Sequence, residues 1–215
     1  MTEPPTGCGL YVVIEAGDGA AARLSAALAA IEPAAVLIAP VAGERLDVQA
    51  AKPLLEQARQ VGITGLILDD VELARALGAD GVHLVPQDDA PGAYRAAREA
   101  LGKDGVVGVD AGISRHAAML MAESGADYVG FGAPAHLKDR DKARTRRDEL
   151  IAWWAPIFEV PSVAFDVETP EEAARLDAAG ADFVAIALRA QSSTDGVREL
   201  LSAVAQAINA SKTLS

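Results

Sequence analysis

Eight short runs of β-branched and aliphatic residues alternate along this chain with longer segments whose apolar residues recur at helical spacing. The runs fall at residues 11–14, 36–38, 65–68, 81–84, 106–109, 128–131, 163–165 and 183–186. Each is apolar on successive residues rather than on alternate ones, the pattern of parallel strands covered on both faces. Between them, residues 20–31, 47–61, 91–101, 114–124 and 171–179 have the length and periodicity of helices. Thr169-Pro170-Glu171-Glu172 reads as a helix start: an N-cap threonine, a proline at the first helical position and a glutamate placed for a capping box. Ser114 is a second N-cap of this kind. Gly78, Gly125 and Gly180 close helices where a left-handed residue is needed.

Those three glycines also open an internal repeat. Gly78-Ala79-Asp80-Gly81-Val82, Gly125-Ala126-Asp127-Tyr128-Val129 and Gly180-Ala181-Asp182-Phe183-Val184 are one helix-to-strand joint written three times. Their spacing is about two βα units, and eight such units predict a single (β/α)8 TIM barrel over residues 10–209. Residues 1–9 form an N-terminal extension and 210–215 a C-terminal tail. An open doubly wound sheet shares the alternation, but the chain has no glycine-rich dinucleotide turn to support it.

Composition narrows the class of function. With 46 alanines and only 4% aromatic residues, the core must be built from small and aliphatic side chains. A net charge of −12 argues against nucleic acid as a partner, since phosphate backbones need a basic surface. A lone Cys8 allows no internal disulfide and fits a reducing, cytoplasmic setting. The first ten residues lack a secretory signal pattern, and no apolar run is long enough to span a membrane. A homodimer is the default assembly for such a chain.

A barrel of this kind works at the C-terminal ends of its strands. There the first strand ends in Glu15, the third in Asp69-Asp70, and the fourth runs into Gln87-Asp88-Asp89. The fifth ends in Asp110, the seventh in Asp166 and the eighth in Arg189. Carboxylates converging from neighbouring strands suit a hard cation such as Mg²⁺, which takes oxygen ligands and keeps several waters. Asp69 is expected to cap the next helix, whereas Asp70 and Asp88, on adjacent units, are the metal candidates. After the sixth strand comes a basic stretch, His136 to Lys142 and on to Arg147, expected as a charged loop and placed to meet a diphosphate. His136 is the histidine positioned for acid–base work. His83, inside an apolar strand, reads as a satisfied core residue, and His116 as a helical structural one.

At these residues a resemblance becomes visible. Leu68-Asp69-Asp70 through Gly78-Ala79-Asp80-Gly81-Val82-His83-Leu84 resembles the N-D-x-x-x-x-A … G-A-D-G-V-H-L-G-Q-x-D segment of thiamine-phosphate synthases, a superfamily that includes the thiazole tautomerases. Gly125-Ala126-Asp127-Tyr128-Val129-Gly130-Phe131-Gly132 matches its G-A-D-Y-V-G-F-G strand. The similarity runs from about Tyr11 to Arg189.

The resemblance implies an enzyme that joins an aminopyrimidine diphosphate to a thiazole phosphate, releasing diphosphate with the help of Mg²⁺. Asp70 and Asp88 would hold the metal and Lys138 would meet the departing diphosphate. Glu15, Gln87, Asp110, Asp166 and Arg189 would line the site for these small phosphorylated heterocycles.

Four positions depart from the family pattern. The R-E-K signature at the end of the second strand reads Ile38-Ala39-Pro40, and the P-T-x-T-K loop reads Pro134-Ala135-His136-Leu137-Lys138. The Gly-Gly of the seventh strand, which receives the thiazole phosphate, is Asp166-Val167. The eighth strand ends in Leu188-Arg189 in place of a serine, so that Arg189 either pairs with Asp166 or binds an anion itself. Two further readings therefore stand beside the synthase. One is an isomerase of the thiazole tautomerase type using His136; the other is a non-catalytic paralogue binding another ligand or partner.

Overall fold

The strands of this chain pair in sequence order and the last returns to the first. The computed structural model describes residues 7–133 and 138–212. In it, β1 (Gly9–Glu15), β2 (Ala35–Ala39), β3 (Thr64–Leu68), β4 (Gly81–Leu84), β5 (Val106–Asp110), β6 (Tyr128–Phe131), β7 (Ser162–Val167) and β8 (Phe183–Leu188) form one closed barrel. All neighbours are parallel, including β8 with β1. After each strand comes a helix: α1 (Ala20–Ala30), α2 (Val48–Gln60), α3 (Val71–Leu77), α4 (Ala90–Leu101), α5 (Arg115–Ser124), α6 (Arg140–Trp154), α7 (Pro170–Ala178) and α8 (Thr194–Lys212). The fold is the expected (β/α)8 barrel. β1 starts at Gly9, just inside the expected extension, and α8 runs on to Lys212.

Outward-facing strand residues such as Val12, Ile14, Val36, Ile38, Ile67 and Val82 pack against the helices in one core. Inward-facing Tyr11, Leu37, Leu66, Tyr128, Val163 and Ala185 fill the barrel in a second. Most of the aromatics form two groups, Phe131, Trp153, Trp154 and Phe158 around the end of α6, and Tyr11, Phe165 and Tyr128 inside the barrel. Gly108 makes room for one of them: a Cβ there would lie 2.0 Å from the Tyr128 ring.

The Gly-Ala-Asp repeat has a structural explanation. Asp80 accepts a hydrogen bond from the Gly65 N–H (2.7 Å), Asp127 from Val107 (2.7 Å) and Asp182 from Ser162 (2.8 Å). In each case the aspartate before an even-numbered strand satisfies a backbone donor near the start of the preceding odd-numbered one. Left without a partner, such a donor would be costly. The three glycines have φ of 62°, 95° and 93°, the left-handed conformation that ends a helix.

The stretch from Lys138 to Arg147, expected as a charged loop, is instead mostly the first half of α6. The core-facing positions of this helix are Ala143, Arg147, Leu150, Ile151 and Trp154. An arginine thus occupies one position of the apolar stripe, which hides the helical period. Its guanidinium is fully buried and donates to the Phe165 carbonyl (2.8 Å), the Asp166 carbonyl (3.1 Å), Glu172 (2.7 Å) and Asp148 (2.8 Å).

Glu172 also accepts from the Glu168 N–H (2.8 Å), while its own N–H reaches the Thr169 hydroxyl (3.2 Å). The capping box is therefore present, with the glutamate reaching one residue further back than expected. Burial alone would raise the Glu172 pKa, but the Glu168 N–H and the Arg147 guanidinium bring it below the usual carboxylate range.

Truncating Arg147 to alanine strands the Glu172 carboxylate and two strand carbonyls. It should cost about 3–5 kcal/mol in urea unfolding, with much of the loss recovered in the double variant Arg147→Met/Glu172→Met. A loss below about 1 kcal/mol would show that the ion pair is not holding α6 to β7.

Candidate active site at the barrel mouth

The floor of the mouth is apolar. Two residues further along β1, β3 and β7 than the interior Tyr11, Leu66 and Val163, the side chains of Val13, Leu68 and Phe165 are partly buried and pack on the interior cluster. Below lies a hydrogen-bonded row in which the Tyr11 hydroxyl meets that of Tyr128 (2.8 Å), and Tyr128 meets His83 Nδ1 (2.9 Å). The His83 and Tyr128 rings stack with centroids 5.5 Å apart. Burial lowers the His83 pKa to about 3, so the ring is neutral, and His83 is the satisfied core residue its apolar strand predicts.

Around the rim, most charged groups are already engaged within the chain. Glu15 accepts from the Ala190 N–H (2.7 Å) and lies 3.5 Å from Arg189. Arg189 stands just past the end of β8, the strand between β7 and β1, and pairs with Glu15, while the Asp166 carboxylate is turned the other way, to the Ala133 N–H. Buried Arg23 fastens the same corner by donating to the carbonyls of Glu15 (3.0 Å) and Ala190 (3.1 Å). Asp110 accepts from the Gly112 N–H (2.6 Å). Burial raises its pKa from 3.8 to about 6 against the pull of that hydrogen bond, and the nearby Asp166 charge adds to the rise.

Asp166 sits in an irregular part of β7. Between Ala164 and Val167 this strand carries one more residue than β8 does. Asp166 takes a left-handed φ of 58°, a conformation easiest for glycine and next easiest for Asn and Asp. The bulge turns its carboxylate to the Ala133 N–H at the end of β6 (2.8 Å). Asp69, with φ 55°, is the other non-glycine residue of this kind among the described residues. Its carboxylate accepts from the Val85 N–H (3.2 Å), while Asp70 caps α3 through the Leu73 N–H (2.8 Å). The expected cap on Asp69 is thus made by its neighbour, since the left-handed turn at Asp69 brings Asp70 to the N-cap position.

The remaining candidates have no such partners. The second carboxylate oxygen of Asp70, both oxygens of the exposed Asp88, the exposed Gln87 side chain and the exposed Lys138 ammonium make no hydrogen bond or ion pair among the described residues. Lys138 immediately precedes Asp139, the N-cap of α6, and lines a groove of about 660 Å³ with Lys142, Ile113 and Asp139. Much of the basic run beyond it is neutralised: Arg144 pairs with Glu168 (2.5 Å) and Arg146 with Glu149 (3.0 Å). Arg140 donates to the Ala133 carbonyl. His136 lies outside the described residues, His116 is on α5, and the end of β2 presents buried Ala39 with no base.

Sequence reasoning missed the buried clamps Arg23 and Arg147. An arginine interrupting an apolar stripe was the available signal for Arg147. For Arg23, on a helix face shared with Leu24 and Ala27, the signal was weaker.

Residues 10–189 match the family model described as thiamine monophosphate synthase. The chain belongs to this family. It is 41% identical over 138 residues to a thiamine-phosphate synthase of Erythrobacter litoralis, covering 63% of each chain. With the thiamine-phosphate synthase of Rhodospirillum centenum it shares 40% over 188 residues, 84% of this chain and 88% of that one. Among solved structures, a thiamine phosphate pyrophosphorylase from Pyrococcus furiosus superposes with a TM-score of 0.75 at 20% identity, covering 94% of this chain and 96% of that one. That likeness supports the barrel fold.

The Asp110 shift has a signed consequence. Between pH 3.8 and about 6 the folded chain holds a proton on Asp110 that the unfolded chain has released, so Asp110 makes stability fall as pH rises through this window. Asp110→Asn removes that contribution. Comparing urea midpoints at pH 4.5 and 7, wild type should lose more stability, or gain less, than the variant on going to pH 7. Parallel pH profiles would refute the shift.

Proposed function

We propose that the protein joins an aminopyrimidine diphosphate to a thiazole phosphate with release of diphosphate, in the cytoplasm. One observation carries this reading beyond family membership. Asp88 and Lys138, which have no partner among the described residues, and Asp70, which keeps one carboxylate oxygen while the other caps α3, are the groups that reading needs. No helix among the described residues is long and apolar enough to cross a membrane.

The donor set fits Mg²⁺. Asp70 keeps one carboxylate oxygen and Asp88 keeps two, on consecutive βα units, and no three His, Cys, Asp or Glu side chains gather as a closed cage among the described residues. A cation held there takes most of its ligands from water and substrate, as Mg²⁺ does. When bound, it would offset the charge on the diphosphate oxygens.

The chain's own residues supply the rest. Lys138 places a positive charge where diphosphate departs, which favours cleavage of the carbon–oxygen bond to the pyrimidine methylene. The apolar floor of Val13, Leu68 and Phe165 receives the flat heterocycles and keeps water from the electron-poor carbon. The thiazole nitrogen then forms the new carbon–nitrogen bond, its lone pair replacing the electrons that left with diphosphate. No residue is required to remove a proton.

With both substrates and Mg²⁺, diphosphate release and thiamine phosphate should appear together. Lys138→Ala and Asp88→Ala should each lower kcat/KM by about 10²-fold or more, and chelation of the metal should abolish turnover. If the wild type at high concentration forms no thiamine phosphate, the reading fails.

A further inference from the structure

Backbone N–H groups at strand ends commonly receive phosphates, and here several are filled from within. Asp110 occupies the N–H of Gly112 after β5, Asp166 that of Ala133 after β6, and Glu15 that of Ala190 after β8. Of the cations on this arc, half-exposed Arg189 lies 3.5 Å from Glu15, and Arg147 is buried among Asp148, Glu172 and the β7 carbonyls. Lys138 and Lys142, which line one groove along α6, have no ion pair among the described residues.

The proposed reaction involves two anionic groups, the diphosphate of the donor and the phosphate of the acceptor. The diphosphate, carrying more charge and leaving in the reaction, takes the Lys138 side. The acceptor's phosphate is left on the arc where Asp166, Asp110 and Glu15 present carboxylates, and like charges at close range repel it. Asp166 weighs most, because a strained backbone and a buried arginine fix its position.

We propose that Asp166 is a specificity-determining residue that removes the advantage of a phosphorylated acceptor, so that the barrel accepts the thiazole alcohol as readily as the thiazole phosphate. This rests on the synthase reading above and extends it to the chemical class of the acceptor. With the alcohol, the same bonds form and break, and the product is thiamine rather than thiamine phosphate. The hydroxyl needs no cation, and a carboxylate can accept its hydrogen bond.

The test is steady-state diphosphate release with aminopyrimidine diphosphate, Mg²⁺ and each acceptor in turn. Wild type should give kcat/KM values for the two acceptors within about tenfold of each other. Asp166→Asn keeps a side chain that tolerates the left-handed turn and accepts the Ala133 N–H, but removes the charge. It should move the ratio toward the phosphorylated acceptor by about tenfold or more. Asp166→Gly should move it the same way.

A wild-type preference of about a hundredfold or more for the phosphate, or an unchanged ratio in both variants, would overturn the proposal. Should neither acceptor release diphosphate, the synthase reading falls. Calorimetric binding of the two acceptors then decides the role of Asp166 separately: comparable affinities that diverge in Asp166→Asn support it, and a strong wild-type preference for the phosphate overturns it.

Discussion

The buried guanidinium of Arg147 holds the mouth in its shape. Bound to Glu172 and to the carbonyls of Phe165 and Asp166, it joins the middle of α6 to the bulge of β7 and to the start of α7. A left-handed aspartate inside a strand is unfavourable in isolation and persists where its surroundings fix it. Here those surroundings are one arginine beneath its carbonyl and one amide, that of Ala133, in front of its carboxylate. The direction in which Asp166 points, and with it the charge of one side of the mouth, follows from an interaction that touches no substrate.

The rim charges then fall into two groups. Glu15, Asp110 and Asp166 hold backbone amides, so they stiffen the loops after β8, β5 and β6. Asp70, Asp88 and Lys138 are only lightly engaged or unengaged and remain available to a ligand. A net charge of −12 is thus compatible with phosphorylated substrates if the receptive cation lies on one side and the acids opposite are occupied. Of the basic run after β6, most arginines serve helix packing and neighbouring acids, leaving the two lysines at its head as the cations facing outward.

Much of this was legible in the sequence, for identifiable reasons. Doubly covered strands leave continuous apolar runs, so β4 and β6 have the expected bounds and each of the other strands exceeds its own by one to three residues in all. The thrice-repeated aspartate was visible because one backbone donor needs the same acceptor at three joints. What stayed hidden depends on contacts distant in sequence. The Glu15–Arg189 pair joins the two ends of the chain, and the expected barrel sets Arg189 between Glu15 and Asp166 without choosing which it takes. The exchange of roles between Asp69 and Asp70 turns on one backbone angle, and α6 was obscured by an arginine standing where an apolar residue was expected.

The central claim is that amides on the β5–β8–β1 arc are filled by the chain's own carboxylates while the Lys138 side stays open. Titrating ¹⁵N-labelled protein with thiazole phosphate, and separately with inorganic diphosphate, while following amide ¹H–¹⁵N shifts tests it directly. The account predicts that the amides of Gly112, Ala133 and Ala190 hold their positions while those of Lys138 to Lys142 move. Saturable shifts at Ala133 and Ala190, with Lys138 to Lys142 unmoved, would contradict it.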